Sequence, residues 1–191
     1  MNTCSAAPLT EDDIAQVPAV LCEHQIVAHD RSLLTEHYVG AVDQQSNKIV
    51  TYNRFTPGAK PSVGYIRGFQ MERGAFAQSI AHDCHNILAV GADDASIVRV
   101  INRVIEMGGG VVVTDGETIQ ELALPVAGLI SPLNTEQLAQ QNRALEDLVH
   151  RCGCEMGSPF ITLGFMALPV IPALKLTDKG MFDVATWSLL K

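Results

Sequence analysis

The stretch Gly74–Gly91, GAFAQSIAHDCHNILAVG, restricts this chain more than any other. Two apolar runs, Ala75–Ala81 and Ile87–Val90, have the length and composition of strands. Between them lie His82, Asp83, Cys84, His85 and Asn86, side chains that can ligate metal, move protons or bond a heterocycle edge. In a regular strand His82 and His85 would face opposite sides, so the cluster must interrupt the strand for them to converge. Strands that end in such a cluster deliver it to the edge of a sheet, where binding groups tend to sit.

The flanking sequence supplies the rest of a layered fold. A helix is expected from Asp93/Asp94, with Ile97, Val98, Ile101, Val104 and Ile105 on one face, acids at its positive end and Gly108 as its stop. Gly108-Gly109-Gly110 then leads into the strand Val111–Thr114. Because these glycines follow a helix and precede a strand, the order is the reverse of a phosphate loop, and they read as a helix stop and a tight connection. Asp115-Gly116 before Glu117–Leu124 signals a hairpin. A second helix is expected over Asn134–Arg151, capped by Asn134 with Gln137 three residues on and carrying Leu138, Leu145, Leu148 and Val149 on one side.

Upstream, residues 1–9 read as a loose tail, Thr10–Gln16 as a short helix, and Pro18–His29 as a strand or short helix. Lys48–Phe55 and Ser62–Phe69 read as strands. Downstream, Phe160–Pro172 reads as buried core and Lys175–Gly180 as a polar turn. Strands alternate with helices while hairpins intrude, so the expected class is α/β with mixed α+β layers, its hairpin strands packed on two main helices. At 191 residues the expectation is one compact domain.

A net charge of −8 and scattered Lys and Arg exclude a basic nucleic-acid surface, and no apolar run reaches the roughly 18 residues of a membrane helix. Five cysteines without framework spacing point to reduced thiols, and the N-terminus lacks the pattern of a signal peptide. A cytoplasmic location follows as the expectation. The aliphatic run Phe160–Leu174 is a candidate surface for a homo-oligomer.

The chemistry of residues 82–86 leaves two readings open. His82 and His85 can serve as metal ligands, with Asp83 as a third ligand or as the carboxylate that fixes a tautomer. The same residues can form a structural turn in which Asp83 and Asn86 bond backbone amides. The Cys84 side chain reads as a small buried hydrophobe.

Taken together, RGAFAQSIAHDCHNILAVGADD, INRVIEMGGGVVVTDG, ELALPVAGLIS and PFITLGFMALPVIPALKLTDKGMFDV resemble, in order and spacing, the C-terminal domain of bacterial adenine deaminases. The resemblance runs from about Val63 to Val184. It divides the chain into a poorly matched segment, 1–61, and a matched one, 62–191. It implies hydrolysis of adenine to hypoxanthine and ammonia, or a subunit or domain that supports it. The family places a two-metal centre of iron, manganese or zinc in a (β/α)8 barrel, which this chain is too short to contain beside the matched region. The resemblance therefore implies a purine base as ligand and a barrel-bearing partner chain. By the matching His-Asp-x-His-Asn block it implies His82, Asp83 and His85 in catalysis, Asn86 and Ser79 in substrate binding, and His82 and His85 as metal ligands. The alternative is a non-catalytic purine-binding or assembly module.

Overall fold

The computed structural model describes residues 3–190. Its frame is an eight-stranded mixed sheet built from β1 (His24–Ala28), β2 (Thr35–Val39), β3 (Ser46–Tyr52), β4 (Ser62–Arg67), β5 (Ala75–Gln78), β6 (Ile87–Gly91), β7 (Gly110–Thr114) and β8 (Ile119–Ala123). The strand order is β2-β1-β4-β3-β6-β5-β7-β8, antiparallel throughout except for the parallel pair β1/β4. Strands on either side of residue 61 thus share one sheet, with β3 inserted between β4 and β6.

Both faces of this sheet are covered, which is why β5, β6 and β7 read as unbroken apolar runs and are buried at every position. Side chains alternate between the faces. Ala75, Ala77, Ile87, Ala89 and Val112 pack against helix α3 (Asp94–Glu106), while Phe76, Leu88, Val90, Val111 and Val113 face the opposite layer. That layer contains helix α4 (Thr135–Arg151), the short helix α5 (Pro159–Gly164) and a second sheet. The second sheet joins β9 (Leu174–Thr177), β10 (Gly180–Asp183) and β11 (Ser188–Leu189) in the order β11-β10-β9. Two short helices, α1 (Asp12–Ala15) and α2 (Ala19–Glu23), precede β1.

The expected α/β class is the one observed, and the caps follow the sequence. The Asp93 carboxylate accepts from Ser96 N at 2.8 Å to start α3, and Asn134 and Gln137 form a reciprocal capping box on α4. The centre of the apolar face of α3 is Ile97, Val100, Ile101 and Val104, with Val98 and Ile105 at its margins. Asp115 organises the β7–β8 hairpin by accepting from Glu117 N and Thr118 N at 3.1 and 2.8 Å, so the loop spans four residues rather than two.

Three expectations need correction. The segment ahead of α1 is tied down rather than loose. Leu9 is buried, its N–H donates to Asn102 at 2.7 Å, and the Tyr52 hydroxyl donates to the Ala7 carbonyl at 3.1 Å; residues 1 and 2 lie outside the described residues. Lys175–Gly180 contains most of β9 and the turn into β10, with Lys175 fully buried. The run Phe160–Pro172 is core only in part, since Ile161 and Val170 are more than half exposed.

The glycine connection confirms its reading as a helix stop and shows why it cannot carry side chains. Gly109 has φ of +126°, and a Cβ there would lie 2.3 Å from the Gly128 Cα. Gly109→Ala is expected to cost several kcal/mol, since neither backbone can retreat and the left-handed φ adds strain. A chemical-unfolding midpoint close to that of the parent would contradict it.

Candidate functional site

The five polar residues form the connection between β5 and β6, at one end of the central strands. The segment leaves the ladder after Gln78, folds back as a turn in which His85 N–H donates to the Ala81 carbonyl at 2.8 Å, and re-enters at Ile87. His85 sits at φ of +49°, so the strand is interrupted as convergence of the two histidines would require.

The turn is held from two sides. His82 N–H donates to the Gly164 carbonyl at 2.9 Å, and its ring lies 5.0 Å from that of Phe165. From the other side Arg54, only 1% exposed, donates from Nε to the His85 carbonyl at 2.6 Å. Its other nitrogens reach the Ala127 carbonyl at 2.8 Å and the Thr3 hydroxyl at 2.5 Å. Arg54 thereby joins the end of β3, the 82–86 turn, the 126–130 loop and the N-terminal segment. Sequence reasoning missed it, although a lone arginine closing an apolar strand (KIVTYNRF) is a visible signal.

The side chains fan outward from this turn. His82 lines a cavity of about 550 Å³ between β7, β8, α4 and α5, whose walls include Leu122, Leu138, Phe160 and Gln78. Cys84 and Asn86 line a second cavity of about 480 Å³, against the three-stranded sheet. Asp83 is exposed and Asn86 is buried. Cys84 reaches solvent, unlike the buried hydrophobe expected, although the protein packed around it pushes its thiol pKa up. His85 is half-buried, and its Nδ1 is buried without a partner among the described residues. Burial, with the nearby Arg54 and His82 charges, lowers its pKa below the usual 6.5 against the opposing pull of Asp83, so the imidazole is neutral at pH 7.

Ser79 is fully buried at the sheet end, not in either cavity. Its hydroxyl donates to the Gly128 carbonyl at 2.5 Å and accepts from Gly110 N–H at 2.8 Å, locking the glycine connection to the 126–130 loop. Ser79→Ala leaves both backbone groups short of a partner and is expected to lower stability by about 1–3 kcal/mol, read from urea unfolding. A loss confined to ligand affinity, with stability intact, would instead make Ser79 a binding residue.

Among the described residues, no three His, Cys, Asp or Glu side chains are grouped to hold a metal ion. A metal on His82 and His85 would need ligands from outside this set, and the Arg54 guanidinium already holds a fixed positive charge beside the turn.

Comparison with known proteins then decides the family. The description of the adenine deaminase C-terminal domain matches residues 25–188, starting well before the blocks that first suggested it. This chain belongs to that family. An adenine deaminase of Archaeoglobus fulgidus is 47% identical over 149 residues, covering 78% of this chain and 27% of the relative. That of Shewanella halifaxensis is 37% identical over 191 residues, covering 96% and 32%. That of Dehalococcoides mccartyi is 35% identical over 202 residues, covering 100% and 35%. The chain thus spans about a third of the length of these relatives.

Proposed function

We propose that this domain works within an adenine-deaminating assembly, adding the 82–86 turn to a purine site completed by a partner that bears the catalytic barrel. The observation that carries this reading is the match over 25–188 to one domain of enzymes named adenine deaminases. The reaction adds water at C6 of adenine and breaks the C6–N6 bond, giving hypoxanthine and ammonia. In it, neutral His85 accepts or relays a proton, His82 and Asp83 stand exposed beside it on the turn, and Asn86 bonds the purine edge. Because the described residues make up no metal centre of their own, no step is assigned to a metal held by this chain.

The test is ammonia release from adenine, with the chain alone and mixed with the barrel part of a relative, in the presence of Mn²⁺ or Fe²⁺. Turnover that requires both parts, and falls sharply for His85→Ala, supports the proposal; no turnover in either arrangement overturns it. A group with a lowered pKa works in its neutral form down to that pKa, so the activity is expected to hold at pH 6.5 and decline only below it. An acid limb centred above 6.5 would remove His85 from that role.

A second reading, a purine-binding or assembly module without chemistry, is favoured by the scattering of His, Cys, Asp and Glu side chains among the described residues, where no three are grouped to hold a metal ion. Purine binding without turnover, abolished by His85→Ala, distinguishes it.

A further inference from the structure

Gln78 is the polar member of an otherwise apolar row across the large sheet. Ladder register sets Leu88, Gln78, Val111 and Leu122 side by side, so their side chains share one face. That face looks toward α4 and α5, and Gln78, Val111 and Leu122 form part of the wall of the cavity of about 550 Å³. The Gln78 side chain is buried. Its Nε2 donates to the Ile80 and Phe160 carbonyls at 2.6 and 2.9 Å, which fixes the carboxamide. Its Oε1 is buried and accepts from no group among the described residues. Holding two carbonyls explains the amide nitrogen; it does not explain the oxygen. A buried acceptor without a donor costs stability, and a donor seated in the cavity is placed to supply the missing bond.

The rest of the wall says what carries that donor. Leu122, Leu124 and Leu138 are aliphatic, and Ile130 and Ile161, each more than half exposed, form an apolar lip toward solvent. Among the described residues no Lys, Arg, Asp or Glu lines the cavity, so an ionised ligand would lose its hydration and meet no opposite charge. The rings in the wall are already engaged: Phe160 packs edge-on against Phe76 with centroids 5.4 Å apart, and His82 lies against Phe165. Aliphatic contact is therefore what the chamber offers, in a volume that suits a small molecule.

We infer that the cavity between α4, α5 and the large sheet binds an uncharged, mainly aliphatic molecule with a single hydroxyl or amide N–H, which donates to Gln78 Oε1. The apolar body lies along Val111, Leu122 and Leu138. This ligand is not the purine assigned to the 82–86 turn, and the site stands whatever the turn does.

Calorimetric titration of the whole chain with octanol, its methyl ether and octanoate tests this. Octanol is expected to bind, and the ether, which keeps the chain and lacks the donor, about five-fold more weakly, the worth of one neutral hydrogen bond. Octanoate is expected to bind more weakly than octanol. Gln78→Met removes the acceptor, so it should abolish the preference for octanol over the ether, a ratio that general loosening of the core would not erase. Ala139→Phe, reaching in from α4 at a half-buried position, keeps every bond of Gln78 and should weaken octanol at least about ten-fold by filling the space. Adenine present in excess should leave octanol affinity unchanged. No heat from octanol, equal binding of the ether or of octanoate, unaltered affinity in Ala139→Phe, or displacement of octanol by adenine overturns the inference. Absence of ammonia release with a barrel partner would overturn the proposed function and leave a positive octanol result standing.

Discussion

Replacing Arg54 with methionine is expected to lower the unfolding free energy by about 3–5 kcal/mol, a loss at the top of what single substitutions produce. The guanidinium is buried and donates to the carbonyls of His85 and Ala127 and to the Thr3 hydroxyl. Removing it strands those carbonyls in the interior and leaves a void that methionine fills imperfectly. No Asp or Glu forms an ion pair with it among the described residues, so carbonyl dipoles and the Phe55 ring, 4.4 Å away, hold the charge. Burial lowers the Arg54 pKa below the ordinary arginine value, but an arginine remains charged at any working pH.

The same substitution distinguishes a keystone from a passive core residue. Arg54→Lys keeps the charge and loses the planar fork, so it should recover only part of the stability, because an ammonium cannot span carbonyls on two separate loops. Since one of those carbonyls belongs to His85, the purine binding proposed for the 82–86 turn should weaken along with stability in both variants. Urea unfolding supplies the first readout and calorimetric titration the second. A loss below about 1 kcal/mol in Arg54→Met would show that water replaces the fork and that the turn stands without it.

Why Arg54 escaped sequence reading, while α3 and α4 did not, follows from how each is encoded. The faces of α3 and α4 are written locally, in Ile97–Val104 and Leu145–Val149, and their caps lie within three residues of the first turn. The paired strands β5 and β6 were legible because covering on both faces demands apolar residues at every position. Strand β2 is an edge strand whose only fully buried residue is Thr35, so TEHYV carries almost no pattern. The role of Arg54 is set by groups 31 and 73 residues away, and no local pattern can report that. The site shows the same division. Residues 82–86 were visible as a polar knot between strands. That the turn sends His82 to one cavity and Cys84 and Asn86 to another depends on where α5 and the second sheet pack. Trp187 and Phe182, far along the chain, gave no sign of facing that knot.

Lys175 is the other residue whose surroundings contradict its appearance in sequence, and it yields the second large prediction. Within LKLT it looks like a solvated lysine, yet it is fully buried in β9 with its ammonium donating to the Leu33 carbonyl at 2.6 Å. Burial alone depresses its pKa from 10.5 to about 8. At pH 7 the group is charged in both the folded and unfolded chain, and the folded state bears the cost of holding that charge in the interior. Between pH 8 and 10.5 the unfolded chain keeps a proton that the folded chain has released, so raising the pH favours folding; above 10.5 both are neutral and the penalty is gone. A depression of this size corresponds to roughly 3 kcal/mol. Against Lys175→Met, which fills the same space without charge, the parent should therefore gain about 3 kcal/mol of relative stability between pH 7 and pH 10.5. Referring each measurement to the variant cancels the tyrosine and cysteine titrations that both proteins share in this range. At pH 7 the methionine variant should be at least as stable as the parent, because the lost bond to Leu33 is worth less than the relieved burial of charge. A stability difference that stays flat across this range would mean that the ammonium reaches water and carries no penalty.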